Sequence, residues 1–391
     1  MRRALNLLII IFALSAFLTE IYSIPAFARK YNMSCKVCHS PFPKLKPYGE
    51  DFAANGFALK DVAAPRYYVD AGDDELTLIR DFPIALRLEG YLTYNRDKSD
   101  QTDFTGPSVL KLLSGGTITN DISYYVYYIL EEGDVGKIED AFLFFNDLFG
   151  SELDFSIGQF QVSDPVFKRE LRLTLEDYLI YKVRPGLSHI DLTYDRGIML
   201  SYGMPTNTDI TLEVVNGSGI GTPFGNGNFD NDKYKNIFTR ISQGVLEQFR
   251  LGILGYYGNE VISNSLELHE EKNEIWMAGA DATIDVSPVE LNVQYIYRND
   301  NNPYALMTGS TEVKTQGGFA ELIVRPEGDN SMYYGAAVFN YIDSDDDALD
   351  RKSAGISLGH LLRRNIRAVV EYDYNFTDEF GSISLGFVTA F

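Results

Sequence analysis

The chain has very little cysteine, tryptophan and histidine. Its 391 residues include two Cys, one Trp and four His, and two cysteines cannot form the framework of a disulfide-stabilised fold. Basic residues are also scarce, because 34 Lys and Arg face 55 Asp and Glu for a net charge of −21, which excludes an electrostatic nucleic-acid binder. After residue 18 there is no apolar run of about 18 residues, the length that a membrane-spanning helix needs. Aromatic residues are plentiful instead, and the 26 Tyr and 25 Phe are typical of a β-rich protein.

The first 28 residues have the pattern of an export signal. Arg2 and Arg3 precede an apolar run, and the chain then reaches Ala26-Phe27-Ala28, a small-x-small sequence of the kind that signal peptidase cleaves. An uncleaved membrane anchor is disfavoured because Glu20 ends the apolar run after about 15 residues, fewer than a bilayer requires. We therefore predict a signal peptide over residues 1–28.

The two cysteines form one motif with the residue that follows them. Cys35, Cys38 and His39 read C-x-x-C-H, the signature of covalent c-type haem attachment. The spacing suits the chemistry, because two thiols must reach the two vinyl groups of one porphyrin while the next imidazole ligates the iron. A closed zinc site would need four ligands, and a thioredoxin-like pair would need a βαβ context. We therefore predict one covalent haem c, with Cys35 and Cys38 as thioether attachments and His39 as the proximal axial ligand.

The residues after the motif predict a short helix. Leu45, Tyr48 and Phe52 lie at i, i+3 and i+7, and Asn55-Gly56 is a typical helix C-cap. Such a helix would cover one face of the haem; an irregular loop wrapped around the haem is the alternative. We assign residues 29–78 to this monohaem segment, which is too short to be a sizeable independent domain.

From residue 82 to the end, apolar and polar residues alternate with the period of two that indicates strands. About sixteen segments show the pattern: 82–95, 107–118, 120–130, 138–147, 152–161, 188–203, 209–216, 233–242, 248–257, 274–285, 289–299, 315–325, 331–342, 352–361, 365–375 and 382–391. A soluble β-sandwich also alternates, so strand number, strand length and turns must separate the two folds.

The connections between these segments alternate between short and long. Those around Asn207, Ser287, Gly328 and Arg363 are tight, whereas the intervening ones are long and polar over 217–232, 258–272, 300–314 and 343–351. Short periplasmic turns opposite long external loops are typical of outer-membrane barrels. We predict an all-β chain, an outer-membrane β-barrel of about 16 strands over 79–391, in contact with outer-membrane lipid and with both termini in the periplasm.

The longest predicted external loop is the third, from Val162 to Leu187. It carries several charged residues around an apolar stretch from Leu171 to Tyr181. Such a loop either folds inward and narrows the lumen or stays on the surface, and the sequence leaves both options open.

One stretch carries a resemblance to a known family. Ala26 to His39, then Phe42-Pro43-Lys44-Leu45, Tyr48-Gly49 and Phe52 to Gly56, resemble the fused monohaem cytochrome-porins of the bacterial outer membrane. The best-known members of that family are ferrous-iron oxidases. The resemblance implies one haem at or in the barrel, bound through Cys35, Cys38 and His39. It also implies electron entry from outside and a periplasmic cytochrome or other carrier as partner.

Two functions follow from these observations. The first is an electron conduit, a possible Fe(II):cytochrome c oxidoreductase, that moves electrons between an extracellular donor such as Fe(II) and a periplasmic carrier. The second is a porin-like solute channel with an accessory periplasmic haem. In that channel the selecting charges would be lumen-facing residues: Arg87, Glu89, Glu213, Glu290, Arg298 and Arg367.

The motif does not indicate the sixth ligand of the iron. Met33 lies two residues before the motif and is too constrained to reach the opposite haem face, and His269 falls in an external loop. His360 shares the parity of lipid-facing residues, whereas Met199 has the opposite parity to the apolar Ile198 and should face the lumen. Met199 is therefore our distal candidate, beside an open or water-occupied position.

Overall fold

The computed structural model describes residues 26–59, 82–96, 101–131, 136–224, 227–264, 269–306 and 311–391. The start of the predicted signal peptide and the predicted domain boundary at 78/79 lie outside these residues. None of the described helices is long and apolar enough to cross a membrane.

The alternating segments form sixteen strands, one for each predicted segment. The strands are Ile84–Asn95 (β1), Gln101–Thr117 (β2), Ile122–Glu131 (β3), Lys137–Phe145 (β4), Leu153–Gln161 (β5), Tyr194–Met204 (β6), Thr208–Val215 (β7), Asn236–Leu246 (β8), Phe249–Asn264 (β9), His269–Val286 (β10), Val289–Asp300 (β11), Val313–Val324 (β12), Tyr333–Ser344 (β13), Arg351–Arg363 (β14), Ile366–Asn375 (β15) and Phe380–Ala390 (β16). The prediction of a long loop over 258–272 is wrong at both ends, because β9 and β10 continue their pairing to Asn264 and His269.

The sixteen strands close into one antiparallel barrel. Each strand pairs with its neighbours in sequence, and β1 pairs with β16 in a ladder from Arg87↔Ala390 to Asn95↔Ser382. The chain ends inside this seam, where Leu86 and Phe391 exchange backbone hydrogen bonds of 2.7 and 2.8 Å. Closure leaves the sheet without a free edge.

The two faces of the barrel wall have opposite polarity. On β11, Val293 and Tyr295 are exposed on the outside, whereas Asn292 and Gln294 are buried inside. A soluble sandwich would bury its apolar face, so the exposed apolar wall excludes that alternative. A closed barrel with this wall satisfies its backbone hydrogen bonds internally and presents apolar side chains to lipid, which identifies an outer-membrane protein.

The connection between β5 and β6, residues 162–193, folds into the lumen; we call it the inserted loop. It contains two 3₁₀ turns, Arg169–Leu171 and Leu179–Lys182. Tyr178 donates to Glu321 on β12, and the backbone N–H of Leu175 donates to Glu371 on β15, at 2.9 and 2.6 Å. Of the two options that the sequence left open, the inward one is confirmed.

An apolar core occupies the middle of the barrel. The inserted loop contributes Tyr178, Ile180 and Tyr181, which pack against inward-facing residues of strands β5 to β13. Phe238, Ile275 and Val215 on these strands are 0% exposed. The inserted loop therefore narrows the lumen at this level.

The N-terminal segment, residues 26–59, lies at the end of the barrel with the short turns, which in outer-membrane barrels is the periplasmic end. It contains the helices Ala26–Tyr31 (α1) and Pro47–Ala54 (α2). The predicted helix is confirmed as α2, with Asn55 as C-cap. Of the three apolar residues that predicted it, Leu45 lies before the helix, Tyr48 is exposed and Phe52 is buried. Helix α1 runs across the predicted cleavage site.

Candidate functional site

The motif folds as one tight turn that collects its three side chains. A 3₁₀ turn spans Cys35–Val37, and the backbone N–H groups of Cys38 and His39 both donate to the carbonyl of Cys35, at 3.2 and 2.9 Å. Both thiols are free and half-buried. Two thiols and an imidazole on one turn are the donor set that covalent haem c requires.

The ring of His39 is held in one orientation. The chain reverses after the motif, because Ser40 donates to the carbonyl of Lys44 at 3.0 Å and His39 bridges to Leu45. The reversal places the carbonyl of Pro43 2.8 Å from Nδ1 of His39. Burial lowers the pKa of His39 below its usual value in spite of this bond. A neutral imidazole that donates through Nδ1 keeps Nε2 as a free ligand, as metal-binding histidines do.

A cleft opens beside these groups between the N-terminal segment and the barrel. The segment lines it with Cys35, Lys36, His39 and Phe42, and the barrel supplies Leu361 and Arg364 near the β14–β15 turn. The donor chemistry therefore suits a covalent haem c, with two thiols for attachment, one imidazole for the iron and a mixed apolar and cationic wall. The cleft has an empty volume of about 230 Å³, less than a porphyrin fills, so the haem would extend beyond it.

One buried and one half-exposed ion pair connect one side of the segment to the barrel. Lys44 Nζ lies 2.8 Å from Glu290 Oε1, with the two side chains 16% and 5% exposed. The Glu290 carboxylate holds the pKa of Lys44 above its usual value although burial alone would lower it. Next to this pair, Lys46 lies 2.6 Å from Asp329, whose side chain is half exposed.

An aromatic cluster fixes the other side of the segment. Phe27 stacks on Phe57 at 4.9 Å, and Phe57 stacks on Tyr125 of β3 at 5.0 Å. Gly56 has a positive φ of 58°, and a Cβ there would lie 2.3 Å from Oγ of Ser123. Glycine therefore permits both the turn after α2 and the close approach to the barrel wall.

The six charges predicted to face the lumen do face inward, but five of them bind protein groups. Arg298 is paired with Asp300 at 2.6 Å and donates to the carbonyls of Val183 and Ile190 in the inserted loop. Arg367 donates to the carbonyl of Leu173. The others behave as follows: Arg87 pairs with Glu89, Glu290 pairs with Lys44, and Glu213 is 0% exposed with no hydrogen-bond partner among the described residues.

The candidate distal ligands lie away from the cleft. Met199 is on the inner face of β6, where it packs against the lumen core. In the ring of sixteen strands β6 stands opposite β14, the strand that lines the cleft. His360 stacks on the exposed Tyr333 at 4.2 Å, on the lipid face as predicted. The role of Met199 stays a prediction that the cleft geometry does not favour.

Sequence reasoning did not predict that residues of the barrel, above all Arg364, would line the cleft. The one signal that could have found this residue is the pair Arg363-Arg364 at a predicted periplasmic turn. No group of three or more His, Cys, Asp or Glu placed to hold a metal ion occurs in the described ranges.

The comparisons with known proteins concern the barrel. No family model matches the chain, and no curated protein is significantly similar to it. Among solved structures, OmpT of Vibrio cholerae lacking loop L8 is similar with a TM-score of 0.54 and 12% identity, over 80% of this chain and 99% of that chain. OmpF of Salmonella typhi in complex with daunomycin gives 0.55 and 10%, over 79% and 97%. OprB of Pseudomonas putida gives 0.56 and 10%, over 79% and 94%.

These similarities show the fold. The chain has the porin-like, sixteen-stranded channel fold of outer-membrane barrels. At identities of 10–12% they carry no further information on its substrates or on the N-terminal segment.

Proposed function

We propose that this protein is an outer-membrane electron conduit that holds one haem c at the periplasmic mouth of its barrel. It would move electrons between an extracellular donor, such as Fe(II), and a periplasmic carrier. The observation that carries the proposal is the docking of the C-x-x-C-H segment into the barrel mouth through Lys44–Glu290 and Phe57–Tyr125. A haem that merely accompanied a channel would have no need of these contacts.

The motif residues have separate roles in this proposal. Cys35 and Cys38 would attach the porphyrin, and Nε2 of His39 would ligate the iron. The carbonyl of Pro43 orients the imidazole, and burial keeps it neutral and able to ligate. When bound there, a haem c supplies reversible one-electron transfer.

The narrowed lumen is the second support for a conduit. The inserted loop and the core around Tyr178 and Phe238 occupy part of the space through which a solute would diffuse. Diffusion of a solute requires an aqueous path, whereas an electron can pass through packed protein. The apolar band of an outer-membrane barrel, about 25 Å tall, insulates the two sides, so electrons that cross it would have to pass through the barrel.

A solute channel is the second candidate, because the similar structures are porins and one of them is an anion-selective porin from Comamonas acidovorans. For this function the inserted loop, which bonds to Arg298, Glu321 and Glu371, would form the constriction that selects solutes.

Spectroscopy and conductance on the same preparation separate the two candidates. Protein purified from the outer membrane of a host that attaches c-type haem should give a haem-stained, heat-modifiable band. Anaerobic Fe(II) should reduce the haem of the purified protein. A planar bilayer that contains the protein should show little conductance. The Cys35→Ala/Cys38→Ala double variant should lose the haem stain and keep the heat-modifiable barrel, because the barrel strands make no contact that needs the thiols.

Two results would decide against the conduit. An undiminished haem signal in the double variant would disprove attachment at the motif. Steady channel conductance, together with no reduction by any added donor, would favour the solute channel.

A further inference from the structure

The cleft beside the motif has a wall that belongs to the barrel. Leu361 is at the end of β14, and Arg364 is in the turn between β14 and β15. Asp329 and Ser331 come from the neighbouring β12–β13 connection. Two periplasmic turns of the barrel therefore face Cys35 and His39 across the cleft.

The cations around the cleft differ in their partners. Lys44 is paired with Glu290, Lys46 with Asp329 and Arg325 with Asp285, at 2.8, 2.6 and 2.6 Å. The guanidinium of Arg364 has no hydrogen bond or ion pair with any described residue, and neither does the ammonium of Lys36. Arg364 is half-buried and Lys36 is exposed.

A half-buried guanidinium without a protein partner is available to bind an anion. The one carboxylate that lines the cleft, Asp329, is already paired with Lys46. The cleft thus has an unpaired positive charge on the wall that faces Cys35 and His39.

Haem c brings the complementary charge, because each porphyrin carries two propionate carboxylates. Guanidinium binds carboxylate through two parallel N–H···O bonds, which makes arginine better suited than lysine to this role. We propose that Arg364 of the barrel binds a haem propionate. This inference rests on the proposed haem site and names the residue through which the barrel would hold the cofactor.

Two consequences follow from this assignment. The haem, attached to the N-terminal segment through sulfur, would also be tied to the barrel through Arg364, and the segment would be held in the mouth more firmly with haem than without. The positive charge would also favour the ferrous state, because charge and hydrogen bonding near the cofactor set its reduction potential.

The first test is the midpoint potential of the haem-loaded protein. In Arg364→Gln the potential should shift to a more negative value, and Arg364→Lys should restore part of the shift. Arg363→Gln is the matched control, because Arg363 is exposed, donates to the carbonyl of Leu362 and does not line the cleft. An equal shift in the Arg363 variant, or none in Arg364→Gln, overturns the assignment.

The second test is limited proteolysis of the N-terminal segment, with and without haem. Arg364→Gln should make cleavage about tenfold faster in the haem-loaded protein, the effect of losing a charge-assisted hydrogen bond. The same substitution should have no effect in the Cys35→Ala/Cys38→Ala background, which lacks the propionate. Equal acceleration in both backgrounds would mean a structural role for Arg364 and would overturn the assignment. Absence of haem from the wild-type protein would instead overturn the proposed function.

Discussion

The pair Lys44–Glu290 is the most direct way to perturb the docking of the N-terminal segment. Glu290 sits on β11 and is 4% exposed, and its carboxylate accepts from Lys44 at 2.8 Å and from Asn292 at 2.9 Å. Glu290→Gln keeps the shape of the side chain and removes its charge. The substitution therefore removes the carboxylate that directly contacts the buried ammonium of Lys44, and it also removes the weaker pair with Arg325 at 3.4 Å.

The size of the effect follows from burial. Loss of one partner of a buried ion pair costs about 3–5 kcal/mol, because the remaining charge is left uncompensated. Lys44 is 16% exposed, so we expect the low end, about 3 kcal/mol. This is roughly a 100-fold increase in the population of the undocked segment. Asp329→Asn is the control, because Asp329 is 49% exposed and such a pair contributes at most about 1 kcal/mol, or fivefold.

Limited proteolysis of the purified protein measures this population when opening and closing are fast compared with cleavage. The rate at which the segment is cut should rise about 100-fold in Glu290→Gln and at most about fivefold in Asp329→Asn. The heat-modifiable barrel should persist in both variants. Equal rates for wild type and Glu290→Gln would refute the argument that this ion pair holds the segment in the mouth.

Two further predictions concern topology and the lumen. An epitope tag at Asn301, at the long-loop end of the barrel, should be reachable by antibody on whole cells. A tag at Gly328, at the short-turn end, should not be reachable, and surface labelling of that tag would show the opposite orientation in the membrane. A tag at Asn226 should also be reachable, although that residue is outside the described ranges. Arg298→Met should loosen the inserted loop, because it removes three bonds to that loop and leaves the buried Asp300 without its cationic partner. Single-channel conductance should rise in Arg298→Met. It should stay unchanged in the control Arg250→Met, because the pair of Arg250 with Asp209 is exposed. Conductance at the wild-type level in both variants would contradict the role of Arg298.

Local patterns in the sequence were sufficient for the elements. Alternation such as Val293 and Tyr295 against Asn292 and Gln294 identifies a strand with two unlike faces, because successive side chains of a strand point to opposite sides. The sixteen segments and the even strand number followed from this period and from the turns. The motif at Cys35, Cys38 and His39 was equally readable, because all its residues lie within one turn of chain.

The sequence was insufficient wherever the answer depended on how strands close. Parity placed Met199 inside the barrel, but only the ring of sixteen strands shows that β6 stands opposite the strand lining the cleft. The full length of β9 was also missed. Glu260 and Ile262 lie beyond its predicted end, yet both are buried and both pair with β10.

The tertiary structure alone decided that the inserted loop enters the lumen. The inserted loop has both charged and apolar residues, so its sequence is equally compatible with a surface loop and with a loop inside the lumen. Its hydrogen bonds to Glu321, Gln294 and Glu371, all distant in sequence, hold it in the lumen. The tertiary structure also decided the lining of the cleft, where Arg364 and Cys35 lie on opposite walls although more than 300 residues separate them in sequence. A period of two fixes which side of the wall a residue faces, but its partner across the lumen is fixed only when the barrel closes and every strand has its register.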